Sequence, residues 1–318
     1  MTPRTILVYH PEVGKDPVAC EYAALIKCPS RAFEVTACWT PEAAERVIPD
    51  AEILYAWNFP AHLLRRAAKL RWIQVMGAGV ERFLVPELPP RVILTRAAGI
   101  FGPWMAEYTL GWCLWVSQRI ELFRGQQRER RWAPADPLRL QGATLCVVGL
   151  GDIGRHLARA ARSLRMRVIG VTRSGRPVPP AERIYRPRAI RTALARADFV
   201  ALTVPLSPET RGLIGESELA AMKPSAWLIN IARGPVVEAK ALIRALRERR
   251  IGGAVLDVFD TEPLPPEHPL WELDNVAITP HIAGPSIRAE IAPIFNDNLR
   301  RYAAGRGLRH VVDHTRGY

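Results

Sequence analysis

The sequence predicts an α/β protein of two domains, each a parallel β-sheet covered by helices. Three observations lead there. Short apolar runs alternate with longer amphipathic stretches along the whole chain, the pattern of strand–helix units that build parallel sheets. The alternation is interrupted by a polar, proline-containing segment at Arg128–Leu140 and then restarts more regularly. At 318 residues, 48% apolar and 24% charged, the chain has enough material for two cores and the balance of an ordinary globular protein.

Taken in order, the strands expected in the first third are Thr5–Tyr9, Glu52–Ala56, Trp72–Val75 and Val92–Leu94. Helical stretches at Pro41–Val47 and Ala61–Ala68 lie between them, and one long helix is expected from about Pro103 to Arg124, with Pro103 in its first turn. After the Arg128–Leu140 connector, strands are expected at 143–149, 167–172, 198–204, 226–231, 253–258 and 275–279. Helices should fill 152–164, 188–196, 216–222 and 236–250. Pro285–Tyr302 is again helical, followed by a glycine-interrupted tail to Tyr318. The expected division is therefore a first domain of 1–102 completed by 285–318, and a second of 103–284.

The net charge of +13 raises the question of a nucleic-acid partner. Thirty-nine of the 44 basic residues are arginines, and they are scattered. The densest runs, Arg128-Glu129-Arg130-Arg131 and Arg247-Glu248-Arg249-Arg250, are short and broken by acids. No basic face with interleaved aromatics emerges, so nucleic acid is not expected as a partner. The five cysteines (Cys20, Cys28, Cys38, Cys113, Cys146) form no Cys-x-x-Cys pair and are odd in number. That suits reduced thiols in the cytoplasm and no metal cluster. The opening Met1–Tyr9 is a strand-like run rather than a targeting segment, and Trp104–Val116 is too short to span a bilayer. No membrane partner is expected.

Chemistry enters at Gly149-Leu150-Gly151-Asp152-Ile153-Gly154, which follows the apolar strand 144–148 and opens a helical pattern. Gly-x-Gly-x-x-Gly alone is a weak signal, but between a strand and a helix it reads as a dinucleotide-binding turn. Gly149 permits the tight turn, Gly151 lets the backbone approach a pyrophosphate, and Gly154 lets helix and strand pack closely. Asp152 and Ile153 open the helix whose N–H groups face the anion. Both domains are accordingly expected to be Rossmann- or flavodoxin-like, flanking an active-site cleft. About twenty residues on, an NAD enzyme usually places an acid for the ribose hydroxyls. Here the sequence is Thr172-Arg173-Ser174-Gly175-Arg176. No carboxylate repels a 2′-phosphate, Arg173 and Arg176 can pair with one, and Thr172 or Ser174 can donate to it. NADPH is expected in preference to NADH.

Three polar residues then appear in recognisable frames: Arg233 in Asn230-Ile231-Ala232-Arg233-Gly234, Glu262 in Asp257-Val258-Phe259-Asp260-Thr261-Glu262-Pro263, and His281 in Thr279-Pro280-His281-Ile282-Ala283-Gly284. Singly, each is as well explained by a surface ion pair or a loop polar group. Together, downstream of a nucleotide turn, they suit reduction of a 2-keto acid. That reaction needs a proton donor for the developing alkoxide, which a histidine supplies near neutral pH. A carboxylate beside it favours the imidazolium, and a guanidinium fork binds the substrate carboxylate and polarises its carbonyl. Gly77-Ala78-Gly79 after the strand 72–75 exposes backbone N–H groups that can bind the same carboxylate. Trp57 is a candidate wall of the substrate pocket, with a core or interface role the alternative.

With these motifs in this order, the chain resembles the D-isomer-specific 2-hydroxyacid dehydrogenases. The resemblance runs through Leu202–Thr210 and Gly212–Gly215 and covers at least 142–284. Gly77-Ala78-Gly79-Val80-Glu81 also fits, and the Trp-rich Glu107–Trp115 and the ending Asp313–Tyr318 look most like the bacterial glyoxylate/hydroxypyruvate reductase A branch. The resemblance implies reduction of glyoxylate or hydroxypyruvate to the D-2-hydroxy acid, with hydride from nicotinamide C4 and the proton from His281. It implies that Arg233, Glu262 and His281 are catalytic, that Gly77–Gly79 contacts the substrate acid group, that Val204, Pro205 and Asp257 contact the cofactor, and that the protein is a homodimer. Asp257 is also a credible structural hydrogen-bonding group. Two alternatives remain open: a dehydrogenase for a larger phenylpyruvate- or phosphoglycerate-type acid, and a non-catalytic NAD(P)H-sensing corepressor on the same fold.

Overall fold

The computed structural model describes residues 3–11 and 17–317; Met1 and Thr2 of the opening run and Tyr318 of the closing motif lie outside them. The chain divides into two compact units, residues 1–100 with 286–318, and 101–285.

The first unit contains β1 (Arg4–Tyr9), α1 (Val18–Ala24), β2 (Phe33–Cys38), α2 (Pro41–Val47), β3 (Ala51–Ala56), α3 (Ala61–Leu64), β4 (Trp72–Val75) and β5 (Ile93–Arg96). The strands form one parallel sheet in the order β2-β1-β3-β4-β5. Central strands are apolar on both faces because helices cover both: Ile6, Leu7, Val8, Ile53, Leu54 and Ile73 are fully buried. The sequence reading omitted α1 and β2. Edge strand β2 pairs on one side only and interrupts its apolar residues with Glu34 and Thr36, so it carried no buried-strand signature.

The second unit begins with α4 (Phe101–Ser117) and α5 (Ile120–Arg128). The single helix expected over 103–124 is therefore two. Arg119 adopts the left-handed conformation (φ 52°) and ends α4, while the freed Ser117 carbonyl accepts from the Leu138 N–H at 2.7 Å. No glycine or proline marks that break, so periodicity ran through it.

There follow β6 (Thr144–Val148), α6 (Asp152–Ser163), β7 (Arg167–Val171), β8 (Arg183–Tyr185), α7 (Ile190–Leu194), β9 (Phe199–Leu202), α8 (Glu216–Ala220), β10 (Trp227–Asn230), α9 (Ala239–Arg247), β11 (Gly253–Leu256) and β12 (Val276–Ile278). All seven strands are parallel, in the order β12-β11-β10-β9-β6-β7-β8. β8, a three-residue edge strand, was too short to read. The order reverses beside β6, where open α/β sheets bind ligands at the carboxyl ends of their strands.

The last helix, α10 (Arg288–Ala303), belongs to the first unit. Phe295 stacks on Tyr55 (centroids 4.2 Å apart) and on Trp72 (5.2 Å), and Asn298 donates to Gln74 Oε1 at 3.1 Å. No helix among the described residues is long and apolar enough to cross a membrane.

Candidate active site

In a parallel sheet every strand delivers its following residue to the same edge. In the second unit that edge receives Gly149 after β6, Thr172 after β7, Thr203 after β9, the Ala232-Arg233 turn after β10, Asp257 after β11 and Thr279 after β12.

The glycines of the first turn are there for space. Gly149 has φ +102°, and a Cβ on it would sit 2.8 Å from Val204 Cγ1 and 2.9 Å from the Val204 backbone nitrogen. A Cβ on Gly154 would collide with the Gly149 carbonyl oxygen. That oxygen also accepts a 2.5 Å hydrogen bond from Thr203 Oγ1. Gly151, the residue capping α6, faces open space where a side chain would stand. Close packing at two glycines and open space at the third, with the α6 N–H groups of Asp152 and Ile153 beside it, make a turn that could hold a pyrophosphate. Val204, and Pro205 after it, come to the same turn through this packing.

β7 ends at Val171 and turns through Thr172–Arg176. The Gly175 N–H donates to Thr172 Oγ1 (3.1 Å) and the Arg176 N–H to Ser174 Oγ (3.2 Å). Both hydroxyls thus accept from the loop itself and keep their own protons to donate. Arg173 and Arg176 are exposed. Sequence reasoning missed a third guanidinium: Arg186 lies against Gly175, itself in the left-handed region (φ +66°), with Arg186 Cγ 2.6 Å from the position of a Cβ. Arg186 follows β8, which pairs with β7, and only the unseen strand could have revealed it.

Arg233, Glu262 and His281 come together on the other half of the edge. Asn230, buried at the end of β10, shapes the first turn by accepting from the Ala232 N–H (3.1 Å) and donating to the Arg233 carbonyl (3.0 Å). Gly234 must be glycine, since a Cβ there would enter the Phe259–Asp260 backbone. That contact seats the half-buried Arg233 beside the 259–262 turn. Glu262 accepts from the Phe259 N–H at 3.0 Å through Oε1 and meets His281 Nδ1 at 2.8 Å through Oε2. Burial pushes the Glu262 carboxyl up. The hydrogen bonds from His281 and Phe259, with the charges of His281 and Arg233, outweigh it and hold the carboxyl below its usual range. With Nδ1 engaged by the carboxylate, Nε2 is the nitrogen able to carry a transferable proton.

His281 stands in the left-handed region (φ +55°), uncommon for a residue with a side chain. Asp257 holds it there. Its backbone carbonyl accepts the His281 N–H (2.9 Å). Its carboxylate accepts from Thr279 Oγ1 (2.6 Å), the Ile282 N–H (2.8 Å) and the Ala283 N–H (2.9 Å). Asp257 is only 1% exposed.

In the first unit the strand ends bring Trp57 (after β3) and Gly77 (after β4) together. The Trp57 ring lies over Gly77, its Cζ3 3.0 Å from where a Cβ would be. Ala78 and Gly79 are half-buried, and the Ala78 carbonyl accepts from Arg96 at 3.4 Å.

The model for the D-isomer-specific 2-hydroxyacid dehydrogenase NAD-binding domain matches residues 110–283. The chain belongs to the D-isomer-specific 2-hydroxyacid dehydrogenase family. It is 36% identical to a glyoxylate reductase from Thermofilum pendens over 269 residues, 79% of this chain and 78% of the relative. It is 30% identical to a glyoxylate/hydroxypyruvate reductase A from Serratia proteamaculans over 275 residues, 84% and 88% of the two chains. Among solved structures it is similar to the NADPH-dependent glyoxylate/hydroxypyruvate reductase of Sinorhizobium meliloti in complex with NADP and sulfate. There the TM-score is 0.88 at 27% identity, with all of both chains covered. Membership makes this protein an oxidoreductase with a nicotinamide-binding domain.

Proposed function

We propose that this dehydrogenase reduces a small 2-keto acid, glyoxylate or hydroxypyruvate, to the D-2-hydroxy acid, with NADPH as the preferred reductant. The observation that carries the reading is the Glu262–His281 pair at 2.8 Å, with the charge of Arg233 bearing on the same carboxylate.

The bound cofactor supplies the hydride that reduces the substrate's C2. Everything else falls to the chain. Arg233 binds the substrate carboxylate and draws charge toward the carbonyl oxygen, which gains charge as the reaction proceeds. His281 delivers a proton from Nε2 to that oxygen. Glu262 keeps Nδ1 protonated and fixes the ring. In the first unit the backbone N–H groups of Gly77, Ala78 and Gly79, beside the Trp57 ring that lies over Gly77, are the groups suited to a carboxylate. The small acids named for the Thermofilum and Serratia relatives support the choice of substrate.

NADPH rests on the turn after β7, where two hydroxyls and the arginines 173, 176 and 186 stand in place of a carboxylate. Gly149–Gly154, Val204 and Pro205 hold the rest of the cofactor. Asp257 contacts it in this reading only through the loop it organises, since its carboxylate is engaged by that loop. Residues 103–284 are then the cofactor domain, and 1–102 with 285–318 the substrate domain. We also propose a cytoplasmic homodimer. Leu114, Ile120, Leu122, Phe123 and Leu138 are exposed around α4 and α5, and Trp132 is 98% exposed on the connector, which suits a subunit interface. All five cysteines are unpaired.

The test is oxidation of NADPH and NADH with glyoxylate, hydroxypyruvate and phenylpyruvate, with His281→Ala as control. Turnover of the small acids that depends on His281 is expected. Cofactor binding without reduction of any keto acid would refute the reading, and preference for phenylpyruvate would overturn its substrate.

A further inference from the structure

The tryptophan-rich helix α4 is not accounted for by the reaction, yet it reaches the site. Tyr108, half-buried on α4, places its hydroxyl 2.6 Å from Thr279 Oγ1. Thr279 has one hydroxyl proton and gives it to Asp257 Oδ1, also at 2.6 Å. Tyr108 must therefore be the donor in its bond to Thr279. Burial, the main cause, pushes the Tyr108 phenol up to about 12, so the proton is there to give. Asp257 in turn binds the Ile282 and Ala283 N–H groups through its carboxylate and the His281 N–H through its carbonyl.

The same helix backs the loop by packing. A Cβ on Gly284 would stand 3.3 Å from Met105 and 3.5 Å from Phe101. The phenol ring is braced from behind, since the Trp112 ring packs edge-on against Tyr108 (6.2 Å) and Trp115 (5.4 Å). Trp115 meets Trp227 on β10 at 6.0 Å.

We infer that Tyr108 is a positioning residue for proton transfer: through Thr279 and Asp257 it holds the 279–283 loop in the conformation that presents His281. The chain of bonds runs phenol to hydroxyl to carboxylate to the amides flanking His281. It fixes a backbone geometry that a histidine would otherwise leave, because φ +55° is sparsely populated. Tyr108 touches neither substrate nor proton, so its removal should lower turnover without weakening binding. The catalytic part of this inference rests on the reductase reading above; the structural part does not.

The test compares Tyr108→Phe, Thr279→Val and Thr279→Ser with wild type in amide hydrogen exchange and in steady-state kinetics with NADPH and glyoxylate or hydroxypyruvate. Tyr108→Phe keeps the ring and its packing. It should speed exchange at Ile282 and Ala283 while leaving β10 and β11 amides unchanged. It should lower kcat roughly five-fold, as loss of one neutral hydrogen bond implies, with KM unaltered. Thr279→Val should do the same or more, and Thr279→Ser should restore both. If wild type reduces neither keto acid yet Tyr108→Phe still frees the 282 and 283 amides, the positioning role stands and the reductase reading fails. Wild-type exchange and kcat in Tyr108→Phe would overturn the inference. So would faster exchange spread evenly over the unit, which would make Tyr108 merely a stabilising residue.

Discussion

Glu262→Gln is the substitution that isolates what the carboxylate does for His281. The change keeps size and shape but removes the charge and one acceptor. In the wild type the two carboxylate oxygens serve two donors, Oε1 the Phe259 N–H at 3.0 Å and Oε2 the His281 Nδ1 at 2.8 Å. A glutamine has one oxygen, so its NH2 must face one of those donors. A hydrogen bond to a charged group contributes about 1.5–3 kcal/mol, which spans roughly ten- to hundred-fold in rate. The His281 side chain is 41% and Glu262 30% exposed, so solvent screening places the expected loss near the lower limit, roughly ten-fold in kcat/KM at neutral pH. The sign with pH follows from the depressed Glu262 carboxyl. Its contribution is present above the usual value of 4.5 and is lost as pH falls through its lower folded value. The variant's deficit should therefore persist through the neutral and alkaline range and close only in acid, below 4.5. The assay is the pH profile of kcat/KM from oxidation of the reduced cofactor, with stability measured at each pH. A variant as active as wild type at neutral pH would refute this account of the pair.

Three further outcomes are expected. Arg173→Ala combined with Arg176→Ala should cut the NADPH-over-NADH ratio of kcat/KM by roughly ten-fold or more, as loss of charge-assisted bonds to a phosphate implies, and leave NADH turnover near wild type; an unchanged ratio would remove these arginines from the 2′-phosphate site. Gly154→Ala should abolish cofactor binding in a fluorescence titration, because the new Cβ collides with the Gly149 carbonyl and spreads the turn. Gly77→Ala should raise KM for the keto acid while cofactor affinity stays put, since a Cβ there stands 3.0 Å from the Trp57 ring and displaces either the ring or the loop.

How much of this could be read beforehand depended on what a residue answers to. α2 and β4 were placed to the residue and β6, β9, β10 and β11 to within a residue or two, the strands because central parallel strands are buried on both faces and read as plain apolar runs, while the edge strand β12 was legible from its unbroken apolar Val276-Ala277-Ile278. β2 and β8 sit at sheet edges, pair once, and are short or half polar, so nothing local distinguished them from loop. The break at Arg119 was invisible for a different reason: a left-handed arginine is selected by the tertiary bond from Leu138 to the Ser117 carbonyl, and no local residue preference announces it.

The site shows the same division more sharply. Gly149 and Gly154 were legible because only the absence of a side chain allows backbone to approach backbone, and the sequence displays that requirement as glycine. The sequence pointed to Glu262 as the partner of His281 and left Asp257 between a cofactor contact and a structural role. Asp257 and Glu262 lie five residues apart in one motif, both carboxylates. One is buried with its oxygens taken by Thr279, Ile282 and Ala283; the other is part-exposed and faces an imidazole. Their roles follow from the donors that reach them, and those donors arrive from β12 and the turn after it. Tyr108 and Arg186 were missed on the same ground, one arriving from α4 and the other from an edge strand. A family motif records the residues at the ends of strands. The partners that set each residue's geometry are assembled by the fold, and the substitutions that leave every motif residue in place, Tyr108→Phe above all, are those that measure what the fold adds.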